Sequence, residues 1–204
     1  MPKEIFEWRG ISDVVYAEVT GDDNEVSGGY VTGTVKDLCG AAELTRTTET
    51  SSEAHYYDNV PAIVINSTGA DEVTITGSAI PLDVLADITG QYYDTTLGTL
   101  VEGQRDVKYF ALGYKTKKTN GKEVYVWRFK GQFSIPDSTH TTENDGTDAN
   151  GQEITFTGIA TQHKFTKTGK PAKAINVDLE KDLADVSTFF DTVTTIDTLK
   201  PKTQ

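Results

Sequence analysis

The chain has 204 residues, a net charge of −12 at pH 7 and a sequence pI of about 4.6, and 36% of its residues are hydrophobic. So acidic a protein is not expected to bind nucleic acid by neutralising phosphates, because that requires clustered Lys and Arg. One cysteine, Cys39, excludes an intramolecular disulfide and is typical of a reducing compartment. No secretion signal or membrane-spanning apolar run is visible, so we expect a soluble cytoplasmic product.

The first segments predict a strand and a polar turn. Residues 11–20 alternate loosely between apolar and polar side chains, which favours a first strand. Residues 21–25 offer several oxygen ligands, but they lack the alternating spacing and the bidentate Glu of a calcium loop. A solvated turn is therefore the preferred interpretation.

Residues 28–61 predict strands followed by a long loop. The glycines of 28–50 favour a strand pair or one long bent strand, in which residues 43–49 show a polar face with little apolar backing. Residues 49–61 are polar and predict a long exposed loop or arm. Its cluster His55-Tyr56-Tyr57-Asp58 either anchors a partner or folds back on its own domain, and the sequence favours neither.

The next stretch predicts two strands and a helix. A short strand is expected over 61–65 and a clear one over 71–79, with Val73 and Ile75 pointing inward. Residues 80–90 predict a helix of about two turns, with Pro81 at the first helical position and Gly90 as the C-terminal cap.

Residues 109–133 carry the most legible signal, a hairpin closed by Asn120-Gly121. This dipeptide favours a two-residue type I′ turn, in which both residues have φ > 0. That turn sets the register and pairs Tyr114 with Trp127 and Leu112 with Phe129. We therefore expect one aromatic core face, made of Phe110, Leu112, Tyr114, Tyr125, Trp127 and Phe129.

The C-terminal third predicts a mobile acidic loop, two strands and a helix. In the loop, residues 136–151, a metal site at Asn144, Asp145 and Asp148 is disfavoured because no Glu closes it. Residues 153–165 predict a strand with Thr155 and Thr157 on its polar face, and 167–171 a turn onto a strand at 172–179. Residues 182–190 predict a helix and 191–204 a mobile tail.

Together these elements predict a mainly β protein, a β-sandwich or half-barrel with one flanking short helix. Residues 1–180 form one domain, which includes the long loop 49–61 and the acidic loop 136–151, and residues 181–204 form a C-terminal helix and tail arm.

The sequence carries no recognisable catalytic chemistry. The three histidines, at positions 55, 140 and 163, share no ligand spacing, and nucleophile-elbow and dinucleotide motifs are absent. Residues 167–171 lack the second glycine and the helix of a phosphate loop. We expect no enzyme activity, no cofactor and no bound metal.

The order of several segments resembles that of the major tail tube proteins of long-tailed, non-contractile bacteriophages, the siphophage major tail proteins. The resemblance spans about residues 10–165. It rests on Tyr-Ala-x-Val-Thr at 16–20, Gly-x-Val-Lys-x-Leu-x-Gly-Ala-x-Glu-Leu at 33–44, Tyr-x-Asp-Asn at 56–59, Ile-Pro-Leu-Asp-Val-Leu-Ala-Asp-Ile-Thr-Gly followed by Tyr-Tyr-Asp at 80–94, and Ala-Leu-Gly-Tyr-Lys, Asn-Gly-Lys and Tyr-Val-Trp-Arg-Phe-Lys-Gly-x-Phe at 111–133.

The resemblance implies a structural virion protein that self-assembles into hexameric rings. The rings stack into a tail tube that conducts DNA during genome ejection. The implied partners are other copies of the chain, a tape measure protein inside the tube and other tail proteins at its ends, with no membrane. DNA passes through without specific binding, and assembly takes place in the cytoplasm of the bacterial host.

Strands in which small polar side chains occupy every second position suggest which residues line such a tube. A lining of Thr and acidic side chains offers DNA neither an apolar grip nor a phosphate partner. We expect the 49–61 loop and the C-terminal tail to become ordered on ring stacking, with His55, Tyr56, Tyr57 and Asp58 at the joint. The predicted lumen-facing residues are Glu43, Thr45, Thr47, Glu72, Thr74, Thr76, Thr155 and Thr157.

A different class of function stays open, a β-sandwich binding module that does not assemble. In an adhesin or carbohydrate-binding domain, Tyr56, Tyr57, Tyr92 and Tyr93 would line a sugar platform. Such a module stays monomeric at high concentration, whereas a tail tube protein polymerises.

Overall fold

Residues 5–23, 29–142 and 150–203 are described by the computed structural model, and antiparallel strands dominate them. The chain is mainly β with one short helix, as its sequence predicts. In these ranges the elements are β1 (Trp8–Asp22), β2 (Tyr30–Thr32), β3 (Lys36–Asp37), β4 (Ala41–Tyr57), β5 (Val60–Gly77), α1 (Leu82–Thr89), β6 (Tyr92–Asp94), β7 (Thr99–Val101), β8 (Phe110–Lys118), β9 (Glu123–Phe133), β10 (Asp137–Ser138), β11 (Gln152–Ile159), β12 (Ala174–Asp178), β13 (Ala184–Asp185) and β14 (Lys200–Pro201).

Ten of these strands form one large antiparallel sheet, while β6–β7 and β13–β14 form two small pairs. The main path is β2-β1-β8-β9-β11-β5-β4, with β3 joined to β1, β10 to β11 and β12 to β9. One side of β9 pairs with β8, and its other side pairs first with β12 and then with β11. The sheet curls into a half-barrel, because β1 and β4 contact each other although four strands of the path separate them.

The β8–β9 hairpin turns at Asn120-Gly121 as predicted, but its loop is one residue longer. The Gly121 N–H donates to the Lys118 carbonyl at 2.9 Å and the Lys118 N–H to the Lys122 carbonyl at 2.8 Å, so 119–121 form the loop. Of these three described residues only Gly121 has a positive φ, 84°, whereas a type I′ turn needs two. The predicted two-residue turn is therefore wrong.

The longer loop changes which side chains share a face of the sheet. Neighbouring residues of a strand point to opposite faces, so a register shift of one residue regroups every pair. The observed pairs are Tyr114 with Val126 and Leu112 with Arg128, in place of the predicted Tyr114 with Trp127 and Leu112 with Phe129. The single predicted core is thereby divided: Phe110, Leu112 and Tyr114 lie in one core, and Trp127 and Phe129, with the half-buried Tyr125, lie in another.

A bulge in β9 lets this strand contribute to both cores. Between the pairs Leu112–Arg128 and Phe110–Gly131, β8 advances by two residues and β9 by three. The extra residue reverses the facing of the second half of β9. The ring of Phe133 consequently joins the core opposite to that of the preceding aromatic residues of the strand.

The first core lies inside the curl of the sheet and is closed by α1. This helix forms close to the predicted bounds, with Pro81 as N-cap rather than first helical residue and Gly90 as C-cap at φ 67°. Asp87 anchors the helix to the sheet, because it accepts a hydrogen bond from the Tyr16 hydroxyl at 3.0 Å and pairs with Lys36 at 2.6 Å. The buried members are Val14, Tyr16, Leu38, Val73, Ile75, Ile80, Ile88, Phe110, Leu112, Tyr114, Val124, Val126, Phe133, Ile154 and Phe156.

The second core lies on the other face of β1, β8, β12 and the first half of β9. The C-terminal segments on either side of β12, residues 160–173 and 179–199, cover it. At its centre Trp127 is fully buried, and its indole N–H donates to the Phe189 carbonyl at 2.9 Å. The buried members are Val15, Ala17, Ala111, Trp127, Phe129, Phe165, Ile175, Val177, Phe189 and Val193.

The C-terminal segment corrects two predictions, the helix at 182–190 and the mobile tail. Residues 187–199 form turns, and β13 pairs with β14. Phe189 and Val193 are 2% and 7% exposed, whereas Leu183, which lies within the predicted helix, is 68% exposed. A nine-residue helix gains little without packing of its apolar face, and here each aromatic side chain packs separately on the sheet.

Residues 41–77 form one long hairpin, so the loop predicted over 49–61 is wrong. Strands β4 and β5 pair as far as Tyr57 and Val60. The turn residues Asp58 and Asn59 have φ of 50° and 64°, a conformation that Asp and Asn tolerate better than most residues. Strand β11 pairs with β5 only up to Asp71, so the hairpin continues beyond the sheet. We call residues 49–68 the arm.

Candidate functional surfaces

Three adjacent strands, β4, β5 and β11, present one surface of threonine and glutamate, which we call the polar face. The register aligns its nine residues in three rows that cross the strands. All eight residues predicted to be lumen-facing belong to it, joined by Glu153. The rows are Glu43–Thr76–Glu153, Thr45–Thr74–Thr155 and Thr47–Glu72–Thr157.

The two sides of these strands differ sharply. On the polar face six side chains are exposed, and Thr74, Thr76 and Thr155 are half-buried. The alternate residues on the other side, such as Val73 and Phe156, are fully buried in the first core. Strands β5 and β11 therefore form a wall with one apolar and one hydrophilic surface, whereas the other side of β4 carries the half-buried Leu44 and the exposed Arg46.

The bulge in β9 marks where the C-terminal cover ends. Before it, Trp127 and Phe129 lie under the cover. After it, Gln132 pairs with Thr157 and is exposed. Both regions lie opposite the first core, so one sheet surface is covered on one half and bare on the other.

The polar face repels anions. It carries three carboxylates, and none of its nine residues is basic. Exposed like charges act over roughly a Debye length, about 10 Å at 0.1 M salt. Threonine hydroxyls form hydrogen bonds but carry no charge. A phosphate backbone near this face therefore finds no cationic partner.

The arm has no core of its own. Every residue of 49–68 is exposed except His55, which is half-buried. An isolated two-stranded ribbon is marginally stable in water, and a contiguous exposed apolar patch marks an interaction site. Tyr56, Tyr57, Val60, Ile63, Val64 and Ile65 all expose between 50% and 66% of their surface.

The four residues predicted for the stacking joint lie together at the end of the arm. His55, Tyr56 and Tyr57 end β4, and Asp58 opens the turn. Tyr92 and Tyr93 belong instead to the separate β6–β7 sheet next to α1. The four tyrosines of the alternative sugar platform thus do not share one sheet.

A buried ion cluster fixes the root of the arm. Asp71 is 4% exposed, pairs with Arg128 at 2.5 Å and Lys173 at 3.4 Å, and accepts a hydrogen bond from Thr48 at 3.0 Å. Lys173 also donates to the Gly69 carbonyl. Burial alone would raise the pKa of Asp71, but the Thr48 hydrogen bond and the two cations outweigh it and hold that pKa below its usual value.

Sequence reasoning missed this cluster although a signal exists. Asp71 occupies an inward position of the strand pattern that continues with Val73 and Ile75. A charged residue is almost never fully buried unless it is paired, so Asp71 predicts a buried partner. The pattern does not say which cation provides it, because Arg128 is 57 residues away in the chain.

Of the residues predicted as a polar turn, 21–25, Gly21 and Asp22 instead end β1, and the Asp22 side chain has a structural role. This carboxylate pairs with Lys130 at 2.7 Å and accepts the backbone N–H groups of Gln162 and His163 at 2.9 Å. Within the described ranges, no group of three or more His, Cys, Asp or Glu is arranged to hold a metal. The remaining residues weighed as metal ligands, Asn24, Glu25, Asn144, Asp145 and Asp148, lie outside the described residues.

Comparison with known proteins adds no name to these surfaces. No protein-family model matches the chain, and no curated protein matches it.

In the part of the chain that the structure describes, the only helix, α1, has eight residues, well short of the roughly 20 that cross a bilayer.

Proposed function

We propose that this chain is a structural virion protein, the major tail tube subunit of a long-tailed, non-contractile bacteriophage. It assembles into stacked, hexameric rings whose bore conducts DNA during genome ejection. The observation that carries the proposal is the polar face, a bare surface of threonine and glutamate on a sheet whose other half is covered.

The polar face has the chemistry that a DNA conduit needs. DNA carries one negative charge per roughly 1.7 Å of its axis, so a basic lining would hold it. Threonine and glutamate offer no counter-charge and no apolar grip. The eight predicted lumen residues and Glu153 form one continuous patch, which supports placing that patch on the bore.

The open ends of the sheet support ring formation. Strand β4 ends the path, and in the described residues its outer edge is not paired with another strand over 17 residues. Such an edge is a template for pairing with another chain. If it pairs with the β2 end of the next copy, the contact is heterologous and closes into a ring by rotation, which removes the edges.

The exposure of the arm supports the proposal that it makes contacts between rings. It projects from the sheet, exposes apolar side chains and has no core. In this proposal it becomes buried on stacking, with His55, Tyr56, Tyr57 and Asp58 at the joint. A tape measure protein occupies the bore before DNA, and other tail proteins bind the two ends of the tube.

Negative-stain microscopy of concentrated protein tests the assembly. We expect rings or tubes of uniform width. Replacing residues 51–67 with Asn-Gly should leave a folded subunit without tubes, because the arm lies outside both cores. Wild-type protein that stays monomeric at high concentration overturns the proposal, and tubes from the armless variant exclude the arm as the joint.

Charge reversal tests the lining in assembled virions. Glu43→Lys with Glu72→Lys adds cations to the bore and should slow genome ejection. The matched control is Glu102→Lys, an exposed glutamate outside the polar face. Equal ejection rates for the two variants would show that the polar face does not line the bore.

A further inference from the structure

A cleft opens at the gap of the half-barrel, between β4 and the strands β8, β9 and β12. Its volume is about 650 Å³. Its wall combines apolar side chains with the carboxamide of Asn176, the Asp71–Arg128 ion pair, Glu43 and Arg46, of which Arg46 has no carboxylate partner among the described residues. The residues that matter here are Trp8, Ile11, Leu44, Arg46, Val126 and Asn176.

Trp8 forms an exposed aromatic rim of the cleft. It is 64% exposed, and its ring meets the ring of Phe6 edge-on at 6.5 Å. The buried Lys118 ammonium lies 4.3 Å from the Phe6 ring, and Thr119 donates its backbone N–H to the Glu7 carbonyl. These contacts hold the rim in place, and tryptophan is among the residues enriched at the energetic centres of interfaces.

Arg46 supplies an unneutralised charge. Among the described residues no carboxylate lies within ion-pair distance of its exposed guanidinium, which donates a hydrogen bond to the Thr48 hydroxyl at 3.1 Å. The arm has the opposite charge, because residues 49–68 contain Glu49, Glu53 and Asp58 and neither Lys nor Arg.

One face of the arm matches the cleft. Glu53 lies directly opposite Ile65 and His55 opposite Ile63, so two isoleucines and a carboxylate share a face. The arm is exposed along its whole length and therefore does not occupy the cleft of its own chain. Folding back would break the pairs that continue β4 and β5 into the arm.

We propose that the cleft receives the arm of a second copy of the chain, with Ile63 and Ile65 against Trp8 and Leu44 and with Glu53 on Arg46. The arm contributes 20 residues, from 49 to 68, and a standard interface uses about 20–30 residues per side. This inference rests on the proposed self-assembly and names its receiving site. The contact is heterologous, so it propagates from copy to copy.

A charge swap tests the pairing of Arg46 with Glu53. Arg46→Glu and Glu53→Arg should each raise the protein concentration needed for assembly about tenfold, the effect of losing roughly 1.4 kcal/mol. The double variant R46E/E53R should return to within about threefold of wild type. Lys170→Glu, an exposed cation outside the cleft, is the control and should have no effect.

Trp8→Ala tests the apolar part of the contact. It should raise the assembly concentration by about 30-fold, as expected for an interface hot spot of 2 kcal/mol. The control is Leu97→Ala, which removes a 75% exposed side chain outside the cleft and the arm. Unfolding midpoints of the monomers show that each variant is folded.

The possible results separate this inference from the proposed function. If wild-type protein forms tubes but the charge swap restores nothing, or Trp8→Ala assembles normally, then the cleft is not the receptor while the tube proposal stands. If wild-type protein does not assemble, both fail.

Discussion

The surface opposite the first core has two halves that differ in what lies on them. On β1, β8, β12 and the first half of β9, apolar side chains lie under residues 160–173 and 179–199. On β11, β5 and β4, threonine and glutamate lie bare in three rows. One extra residue in β9 separates them. One half of this sheet surface is thus buried within the folded subunit, whereas the other half stays exposed to its surroundings.

Side-chain chemistry explains why the halves stay distinct. The covered half presents large rings such as Trp127 and Phe129, whose burial stabilises by roughly 25 cal/mol per Å². The bare half presents hydroxyl and carboxylate groups, whose burial costs free energy unless each is paired. A cover extended over the polar face would lose stability, so the cover stops at the bulge.

Removing the cover is expected to have the largest effect. Deleting residues 187–204 removes Phe189 and Val193 from the second core, together with the half-buried Phe190. Three such side chains contribute roughly 5–9 kcal/mol, similar to the whole stability of a typical domain. We expect a product that is unfolded or binds an apolar dye, as judged by circular dichroism and dye fluorescence. A cooperative unfolding transition near that of the full chain would contradict the assigned role of the cover.

The two tryptophans provide the next comparison. Trp127 is fully buried and Trp8 is 64% exposed. Trp127→Ala should lower the free energy of unfolding by about 3–5 kcal/mol, because it leaves a cavity and removes one of the two hydrogen bonds that the Phe189 carbonyl accepts, the other coming from the Thr194 hydroxyl. Trp8→Ala should change it by less than about 1 kcal/mol. Urea titration followed by circular dichroism measures both, and similar losses would mean that the exposed rim is part of the folded body.

How far the sequence predicts this fold depends on the type of signal. Alternation and caps correctly locate α1 and the principal strands, because these patterns are local. The register of β8–β9 is not predicted, since Asn120-Gly121 is compatible with loops of two or three residues. The first strand of the arm is missed because residues 49–57 are mostly polar and have no apolar backing, although Asp58-Asn59 carries the turn signal. The second strand of the arm contains the short strand expected over 61–65.

The candidate surfaces were predictable to different degrees. Alternation of small polar residues identifies the residues of the polar face, but their adjacency in rows follows only from the pairing of β4, β5 and β11. The helix expected at 182–190 fails because Phe189 packs on a sheet surface that the sequence does not reveal. Long-range packing, rather than local pattern, decides both.

The ion cluster at the arm root comes next in expected size. Asp71→Asn removes the carboxylate and leaves the Arg128 guanidinium buried without its charge partner. Breaking a buried pair in this way typically costs about 3 kcal/mol or more. The control is Asp182→Asn, whose ion pair with Lys202 is exposed on both sides and worth less than about 1 kcal/mol. Equal urea midpoints for the two variants would show that the cluster does not anchor the arm.

The contribution of the same cluster to the free energy of unfolding should depend on pH. The folded-state pKa of Asp71 is lowered, so above about pH 4 its carboxylate is ionised in both states and its stabilisation is fully present. As the pH falls further, the unfolded chain takes up the proton first and the stabilisation is lost. Asp22 and Asp87 also have lowered pKa values, so the wild type and the Asp71→Asn variant both lose stability in acid. The wild type should lose more than Asp71→Asn between pH 5 and pH 2, and parallel curves would contradict this assignment.

The smallest effect is expected on the polar face, where neighbours in the chain provide a matched pair. Glu72 is exposed on that face, and Val73, the next residue, is fully buried in the first core. Glu72→Gln should change the free energy of unfolding by no more than about 0.5 kcal/mol, whereas Val73→Ala should lower it by about 2 kcal/mol. A substantial loss for Glu72→Gln in the monomer would mean that this side chain already has a stabilising role within its own subunit. A neutral result would instead show that this carboxylate has no part in folding, as its proposed place in the lining of a tube requires.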